Sequence, residues 1–303
     1  MKFKNWFRLI LGLTILIFIY YKVGIKNLIN TFSSINGYYL IPIIFLSIIS
    51  ILLGVINIKL LIIPTKKHVP FWKLTKYYMI SWSLGLFSPG KIGEFSISYF
   101  LKKYGIFIGE GIALSLVDKF LTLICLFVIS LGGVFIFFTN SQALWIIFTF
   151  IIFCIAGIFS ILSKKIRKVL QKFIPKKISK ELKGFSKLLF IYINKHKNLL
   201  LINLLLSFIK WLIVFLAIYY LFISFNLKVS FLMIIAIISI SKIISLVPIT
   251  ISGLGVREGI AIYLFNKIGV NISIVLSVFL TLLIINYLTA LITLLIIKKE
   301  DII

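Results

Sequence analysis

The sequence is poor in acidic residues and in the residue types that most enzymes use for catalysis or metal binding. Its 303 residues include 7 Asp and Glu, 2 His and 2 Cys. Cys125 and Cys154 both lie in apolar runs, so we expect them to pack as small hydrophobic side chains. The sequence has no Ser/His/Asp or Cys/His arrangement and no dinucleotide or phosphate-loop fingerprint. We therefore expect neither a catalytic site nor a bound metal or cofactor.

Charge of either sign is scarce in most of the chain. Charged residues make up 13% of the sequence and hydrophobic residues 61%, with a mean hydropathy of +1.18. Soluble proteins are about a quarter charged, so this composition excludes that class. No linker-like stretch divides the chain. The composition predicts an all-α polytopic membrane protein in which residues 1–303 form a single integral membrane domain.

Long apolar runs give the expected number of membrane spans, since a span needs about 20 apolar residues. Seven runs qualify or nearly qualify: 7–22, 38–63, 112–138, 143–162, 198–223, 229–248 and 272–297. The first run follows Lys2, Lys4 and Arg8 and has no signal-peptide cleavage site after it, so we expect an uncleaved span. Shorter apolar stretches at 74–88, 92–101 and 256–266 predict the arms of re-entrant or broken-helix hairpins.

One charged pattern occurs twice inside this apolar sequence. The first copy is Ser88-Pro89-Gly90-Lys91-Ile92-Gly93-Glu94, followed by Tyr99, Lys103 and Gly105; the second is Ser252-Gly253-Leu254-Gly255-Val256-Arg257-Glu258, followed by Tyr263, Lys267 and Gly269. Counted from the Glu, the three later residues fall at the same distances in both copies. Ionisable groups are costly in a membrane and usually functional there, and glycine-interrupted segments at matching places in two halves point to a transporter's binding site.

The distribution of basic residues predicts the topology. With the N-terminus, the loop at 163–197 and the C-terminus in the cytoplasm, the cytoplasmic segments hold 24 Lys and Arg and the external ones 4. This arrangement makes the two motif copies enter from opposite sides. We therefore expect an inverted repeat in the cell membrane, with repeat one at about 38–138 and repeat two at about 198–297.

The loop at 164–197 carries twelve basic residues against one acid. Apolar residues recur at helical spacing at 166–173 and again at 178–189, which predicts two basic amphipathic helices. Attraction to anionic lipid, worth about 1 kcal/mol per basic residue near the surface, explains such a loop without nucleic acid as a partner.

The predicted binding residues are the motif residues and three charged residues from neighbouring spans. They are Gly90, Lys91, Gly93, Glu94, Asp118, Lys119, Lys242, Gly253, Gly255, Arg257 and Glu258. Amides freed at the glycine turns, together with Lys91 and Arg257, favour a phosphate, although a carboxylate would fit as well. The two glutamates either lock the hairpin tips by ion pairs or form a polar site that binds an ionic headgroup or relays a proton. These two interpretations are not exclusive.

The segments at 88–94 and 252–258 resemble the two signature segments of the lysylphosphatidylglycerol synthase transmembrane, or flippase-like, family. The pair Asp118-Lys119 falls where many members carry Glu-Arg, and the similarity extends over roughly 10–297. The resemblance implies a multi-span inner-membrane protein. In fused members this region is thought to move an aminoacylated phospholipid that a separate soluble domain makes. The sequence ends at Ile303, which leaves no room for that domain, so we expect translocation without the transferase.

The leading hypothesis is therefore a flippase or translocator for a phospholipid or a polyprenyl-phosphate-type lipid. A second hypothesis is an accessory subunit that recruits or stabilises a separate lipid- or glycan-modifying enzyme. A phosphatidylglycerol lysyltransferase-type enzyme ranks last, because no nucleophile or metal set accompanies the charged motifs.

Overall fold

The computed structural model describes residues 14, 31, 33–88, 90–162, 184–245, 250 and 252–296, and regular structure within them is helical. Ten α-helices are described. They are α1 (Leu40–Ile62), α2 (Phe71–Leu86), α3 (Ile97–Leu101), α4 (Ile108–Phe137), α5 (Asn140–Leu162), α6 (Phe185–Lys195), α7 (Lys197–Ser224), α8 (Phe231–Ser245), α9 (Val256–Lys267) and α10 (Ile272–Ile296). Short 3-10 turns flank α1, and others precede and follow α3.

Four of the helical segments are long and apolar enough to cross a membrane. They are Gly37–Thr65, Ile108–Phe137, Lys197–Ser224 and Ile272–Ile296, which confirms four of the seven predicted spans. Two further apolar segments, Asn140–Ile152 and Phe231–Ser245, are shorter. The predicted span at 7–22 lies outside the described residues. The protein is therefore an integral membrane protein of helices, with four clear spans among the described residues.

Each charged motif sits where a helix stops and the chain folds back. After α2, Gly90 and Lys91 have φ of 58° and a 3-10 turn at Ile92–Ser96 leads into α3. After α8, the residues from Ser252 to Gly255 include three with positive φ before α9 begins. Left-handed backbone ends a helix, so each motif forms the tip of a broken-helix hairpin as predicted. Pro89 and Pro248, which the sequence assigns to these breaks, lie outside the described residues.

Three helix pairs join the two halves of the chain. Helix α1 packs along α7, α8 packs on α4, and α2 packs on α10. Helices α1 and α7 run antiparallel. The Asn36 amide, just before α1, donates to the Ser224 carbonyl at the end of α7 (2.8 Å). Further along α1, the Asn57 side-chain amide donates to Ser207 (3.0 Å).

The hydrophobic side chains form two buried clusters, one toward each end of the bundle. One cluster combines the end of α1 with α2, α3 and α6, and the other combines α7 to α10 with the end of α4. Helix α6 is anchored to the first cluster by Leu188, Leu189 and Tyr192. The Tyr192 hydroxyl donates to the Leu61 carbonyl, and burial raises the pKa of this tyrosine. The described part of the predicted amphipathic helix at 178–189 is α6, which begins at Phe185 after Gly184 with φ of 83°. The residues at 163–183 lie outside the described part of the chain.

Candidate functional site

Glu94 is held in the tip of the first hairpin by two lysines. Its carboxylate is 3.3 Å from the Lys91 ammonium, three residues earlier, and forms a second ion pair with Lys119 of α4. The carboxylate reaches these partners because the 3-10 turn packs against Gly85 of α2, where a side chain would collide with Glu94. Glu94 is only 8% exposed, whereas the side chains of Lys91 and Lys119 are 24% and 40% exposed, so each pair joins a buried carboxylate to a partly exposed ammonium. Lys119 therefore links the hairpin tip to a membrane span.

Asp118 is the most deeply buried carboxylate of this site, at 1% exposure. Its Oδ2 atom is 3.6 Å from the Lys119 ammonium, while its Oδ1 atom has no hydrogen-bond partner. A cavity of about 20 Å³ lies beside it, lined also by Tyr78, Ser81 and Ser115. A space of that size accommodates about one water molecule. The cavity is thus a hydration site for Asp118 and is too small for a lipid headgroup.

The second hairpin carries its own ion pair. Arg257 donates to the Glu258 carboxylate from Nε at 3.0 Å and also from its terminal nitrogen. The other carboxylate oxygen accepts the Gly255 amide at 2.7 Å, so Glu258 caps the start of α9. The guanidinium lies 5.4 Å from the centre of the Phe279 ring of α10. Glu258 is 2% exposed, and the hydrogen bonds described for it come from Gly255 and Arg257 of the same hairpin.

Two lysines lie in helices next to the motif residues. Neither of them forms an ion pair with a described residue. Lys242 of α8 interacts electrostatically with Lys91 and Arg257 and, more weakly, with both motif glutamates. Its ammonium lies 5.8 Å from the centre of the Trp211 ring. Lys210 of α7 interacts electrostatically with Asp118, Lys119 and Glu94. Lys242 is therefore near enough to both tips, and Lys210 to Asp118, for their charges to interact.

Helix α10 joins the two tips. The Tyr287 ring lies 5.3 Å from that of Phe87, at the end of α2, in an edge-to-face contact. The same tyrosine interacts electrostatically with Arg257 and Glu258. Helix α10 thus contacts the end of α2 through Tyr287 and the second motif through Phe279.

Backbone amides at the tips are largely occupied. The Gly93 amide donates to the Ser88 hydroxyl at 2.7 Å, the Gly255 amide donates to Glu258, and the Arg257 amide donates to the Gly253 carbonyl at 3.0 Å. The expectation that freed tip amides face an anion does not hold for these three groups. A phosphate at this site would have to be bound mainly by side-chain cations.

The ion pairs of the site join three cations to three carboxylates. Lys91, Lys119 and Arg257 pair with Glu94, Asp118 and Glu258, whereas Lys210 and Lys242 form no ion pair among the described residues. The described residues contain no group of three His, Cys, Asp or Glu side chains that could hold a metal ion. All five of these cations are partly exposed, so they remain accessible to an ionic ligand.

The sequence pattern did not identify several aromatic and hydroxyl side chains of this region. Tyr78 and Ser81 face the Asp118 cavity, Trp211 lies against Lys242, and Tyr287 bridges the tips. The one sequence feature that indicates some of these residues is the run of polar side chains at 75–83 within an otherwise apolar stretch. Single aromatic residues in apolar spans are too common to indicate a site.

Comparison with known proteins gives a family match over nearly the whole chain. The family model described as "Lysylphosphatidylglycerol synthase TM region" matches residues 5–294. A UPF0104 membrane protein from Methanothermobacter thermautotrophicus is 30% identical over 80 residues, which cover 26% of this chain and 24% of that relative. The chain thus aligns with about a quarter of the length of this curated relative.

Proposed function

This chain belongs to the lysylphosphatidylglycerol synthase transmembrane region family, and from that premise we propose that it moves a phospholipid or a lipid-linked headgroup across the cytoplasmic membrane. The headgroup would occupy the region between the two hairpin tips. Lys91 and Arg257 would face its phosphate, and Glu94 and Glu258 would hold these cations in position. The observation that carries this proposal is the presence of buried, ion-paired glutamates at two helix breaks inside apolar sequence.

The antiparallel pairing of α1 with α7 supports an alternating-access mechanism. These two helices are the first spans of the two proposed repeats, and they run in opposite directions. Opposite direction of equivalent helices is what an inverted repeat requires. In transporters built this way, the binding site lies between the repeats near the middle of the membrane, and one repeat rocks against the other.

The basic residues support an orientation with α6 on the cytoplasmic side. Exposed lysines at 66, 67, 102, 103, 187, 195 and 197 gather where α1, α3 and α6 end. In this orientation they follow the positive-inside rule and face the anionic lipids of the inner leaflet. The N-terminus, the loop at 163–197 and the C-terminus would all be cytoplasmic.

An accessory role is the alternative with a specific observation in its favour. Glu258 has its partners within its own hairpin, and Glu94 is paired by two lysines, so both glutamates serve as structural links. In that case the chain would support a separate lipid-modifying enzyme, and the motif charges would only stabilise the hairpins. We propose no transferase activity for this chain; turnover of lysyl-tRNA and phosphatidylglycerol by the purified protein would contradict that view.

Lipid movement in proteoliposomes tests the proposal. The assay compares labelled phosphatidylglycerol, its lysyl form and a polyprenyl phosphate, using the wild-type chain and the double variant Glu94→Gln/Glu258→Gln. Glu110→Gln is the matched control, because Glu110 also caps a helix, by accepting the Phe107 amide at 3.1 Å, but lies outside the motifs. We expect movement by the wild type and the control and none by the double variant. A folded wild-type protein that moves none of these lipids would favour the accessory role.

A further inference from the structure

The cavity beside Asp118 receives polar side chains from two helices. On α4, Ser115 and Asp118 are three residues apart, so they lie on one face of the helix. On α2, the same spacing places Tyr78 and Ser81 on one face. These four side chains line the cavity of about 20 Å³, and Glu94 of the first hairpin lines it as well. Carboxylate and hydroxyl oxygens are the ligands that hard cations prefer.

One oxygen atom of Asp118 is left without a partner. The residue is 1% exposed, and its Oδ2 atom is 3.6 Å from the Lys119 ammonium, which forms its closer ion pair with Glu94. The Oδ1 atom of Asp118 has no hydrogen-bond partner among the described residues. A buried carboxylate is costly unless its oxygens are paired. This oxygen is therefore the atom at which a positively charged ligand is most stabilising.

The charges of the cavity lining favour a ligand with a single positive charge. Two carboxylates, those of Glu94 and Asp118, and one ammonium, that of Lys119, line the cavity. Lys91 also pairs with Glu94, but it lies outside the lining and its side chain is 24% exposed. The excess of one carboxylate disfavours an anion. It is also too small for a divalent ion such as Ca²⁺, whose sites usually contain several carboxylates.

We propose that this cavity binds one monovalent alkali-metal cation, Na⁺ or K⁺, on the unpartnered oxygen of Asp118. Such an ion is similar in size to the water molecule that the cavity accommodates. Ser81 and Ser115 supply further ligands. The Ser115 hydroxyl donates to the Gly111 carbonyl at 3.0 Å, which leaves its oxygen lone pairs for a cation. In transporters built from broken helices, coupling ions bind beside the helix breaks. Ion binding at this cavity does not depend on whether the chain moves a lipid.

A bound ion would connect two helices and exchange with the surroundings. Its ligands come from α2 and α4, so it stabilises the folded protein, as any ligand does that binds only the folded state. Lys119 lines the cavity and its side chain is 40% exposed, so the cavity lies close to the surface. The melting temperature should therefore rise with the concentration of the ion.

Binding of radioactive ions to the purified, detergent-solubilised chain tests this proposal directly. A scintillation proximity assay measures radioactive sodium and, as a stand-in for K⁺, radioactive rubidium, while N-methylglucamine chloride holds the ionic strength constant. We expect saturable binding of one or both ions by the wild type. Ser115→Ala should bind about 10-fold more weakly or worse, because it lacks one oxygen ligand. Ser130→Ala is the matched control and should bind as the wild type does. Ser130 is also buried in α4 and donates to the Phe127 carbonyl at 2.8 Å, but it does not line the cavity.

Asp118→Asn removes the charge that the ion needs and should bind neither ion. Ser115→Ala keeps every ion pair of the site, so it decides the outcome even where Asp118→Asn does not fold. Two results would overturn the inference: no saturable binding of either ion by the folded wild-type chain, or binding by Ser115→Ala as tight as that of the wild type. A melting temperature that depends on pH but on neither ion, with the pH dependence lost in Asp118→Asn, would assign the carboxylate to a proton and would also contradict the proposal.

The assay measures ion binding without lipid movement, so it separates the two proposals. Ion binding by a chain that moves no lipid would contradict only the proposed function. Lipid movement by a chain that binds neither ion would contradict only this inference.

Discussion

At the scale of single residues, Glu94 connects two parts of the fold that are far apart in sequence. Its carboxylate joins Lys91 in the same turn to Lys119 in α4, while 8% of Glu94 is exposed. Removing one partner from a buried pair leaves a charge without compensation, which typically costs about 3 to 5 kcal/mol. The Lys119 side chain is 40% exposed, so part of this cost is relieved.

We therefore expect Glu94→Gln to lower the free energy of unfolding by about 2 kcal/mol, somewhat below the usual range for a buried pair. Lys119→Gln should cost a similar amount, and the double variant should cost less than the sum, with a coupling of about 1 kcal/mol or more. Denaturant unfolding of the purified variants provides the measurement. Strictly additive losses would show that the pair of Glu94 with Lys119 contributes nothing to stability.

Gly93 is required by close packing rather than by its backbone angles. A β-carbon at this position would collide with the Leu84 carbonyl and the Gly85 amide, which are backbone atoms that cannot move aside easily. We expect Gly93→Ala to destabilise the protein by about 2 kcal/mol, within the usual range for overpacking. The matched control is Gly132→Ala in α4, where a β-carbon meets nothing within 4 Å and should be neutral or slightly stabilising. Equal melting temperatures for the two variants would contradict the packing of the 3-10 turn against α2.

The charged residues of the site could be predicted from sequence, but their pairing could not. Glu94, Asp118 and Lys242 stand out because ionisable groups are rare in apolar sequence. Which lysine reaches Glu94 depends on how α4 packs against the 3-10 turn, over a separation of 25 residues. The contact of Tyr287 with Phe87 is likewise a product of tertiary packing, and no local pattern indicates it.

At the scale of helices, the antiparallel contact of α1 with α7 is the feature that relates the two halves. The Asn57 side-chain amide donates to Ser207, and the Asn57 backbone carbonyl accepts from the Asn203 side chain at 3.2 Å. All three residues are fully buried. Such polar contacts between spans are worth about 0.6 kcal/mol on average in a membrane protein, so their main effect here is to set register.

Cysteine cross-linking tests this register. In a background with Cys125 and Cys154 replaced by alanine, Asn57→Cys/Ser207→Cys should form a disulfide on mild oxidation. The control is Asn57→Cys/Ser224→Cys, whose second cysteine lies 17 residues further along α7, or about 25 Å away. It should not cross-link. A disulfide in the control and none in the first pair would indicate that the two helices run parallel, which would exclude an inverted relation between the halves.

The sequence predicted which segments form helices more accurately than it predicted where the helices begin and end. Apolar runs at 38–63, 112–138, 198–223 and 272–297 correspond to α1, α4, α7 and α10 to within a few residues. At the basic loop, the described part of the predicted helix at 178–189 is α6, which begins at Phe185 after Gly184 in a left-handed conformation. The spacing of apolar side chains does not encode the conformation of Gly184, since glycine occurs within helices as well as before them.

At the scale of the whole molecule, the two ends of the bundle differ strongly in charge. The connections beside α1, α3 and α6 present seven exposed lysines, and the opposite end, near the connections after α7 and α9, presents Lys228 and Lys267. The ends are separated by the full length of α1, since its first residues meet the end of α7 and its last residues meet α6. We therefore expect the protein to insert with its lysine-rich end in the cytoplasm.

Labelling of single cysteines in intact cells measures this orientation. In the same cysteine-free background, Lys195→Cys at the lysine-rich end and Lys228→Cys at the opposite end both replace exposed lysines. A membrane-impermeant maleimide should label Lys228→Cys in intact cells, and it should label Lys195→Cys only after the cells are permeabilised, because positive loops are retained on the cytoplasmic side. The reverse pattern would place α6 outside and remove the argument for its attraction to the inner leaflet. Labelling of both sites in intact cells would show that the two ends share one side of the membrane, which is incompatible with α1 crossing it.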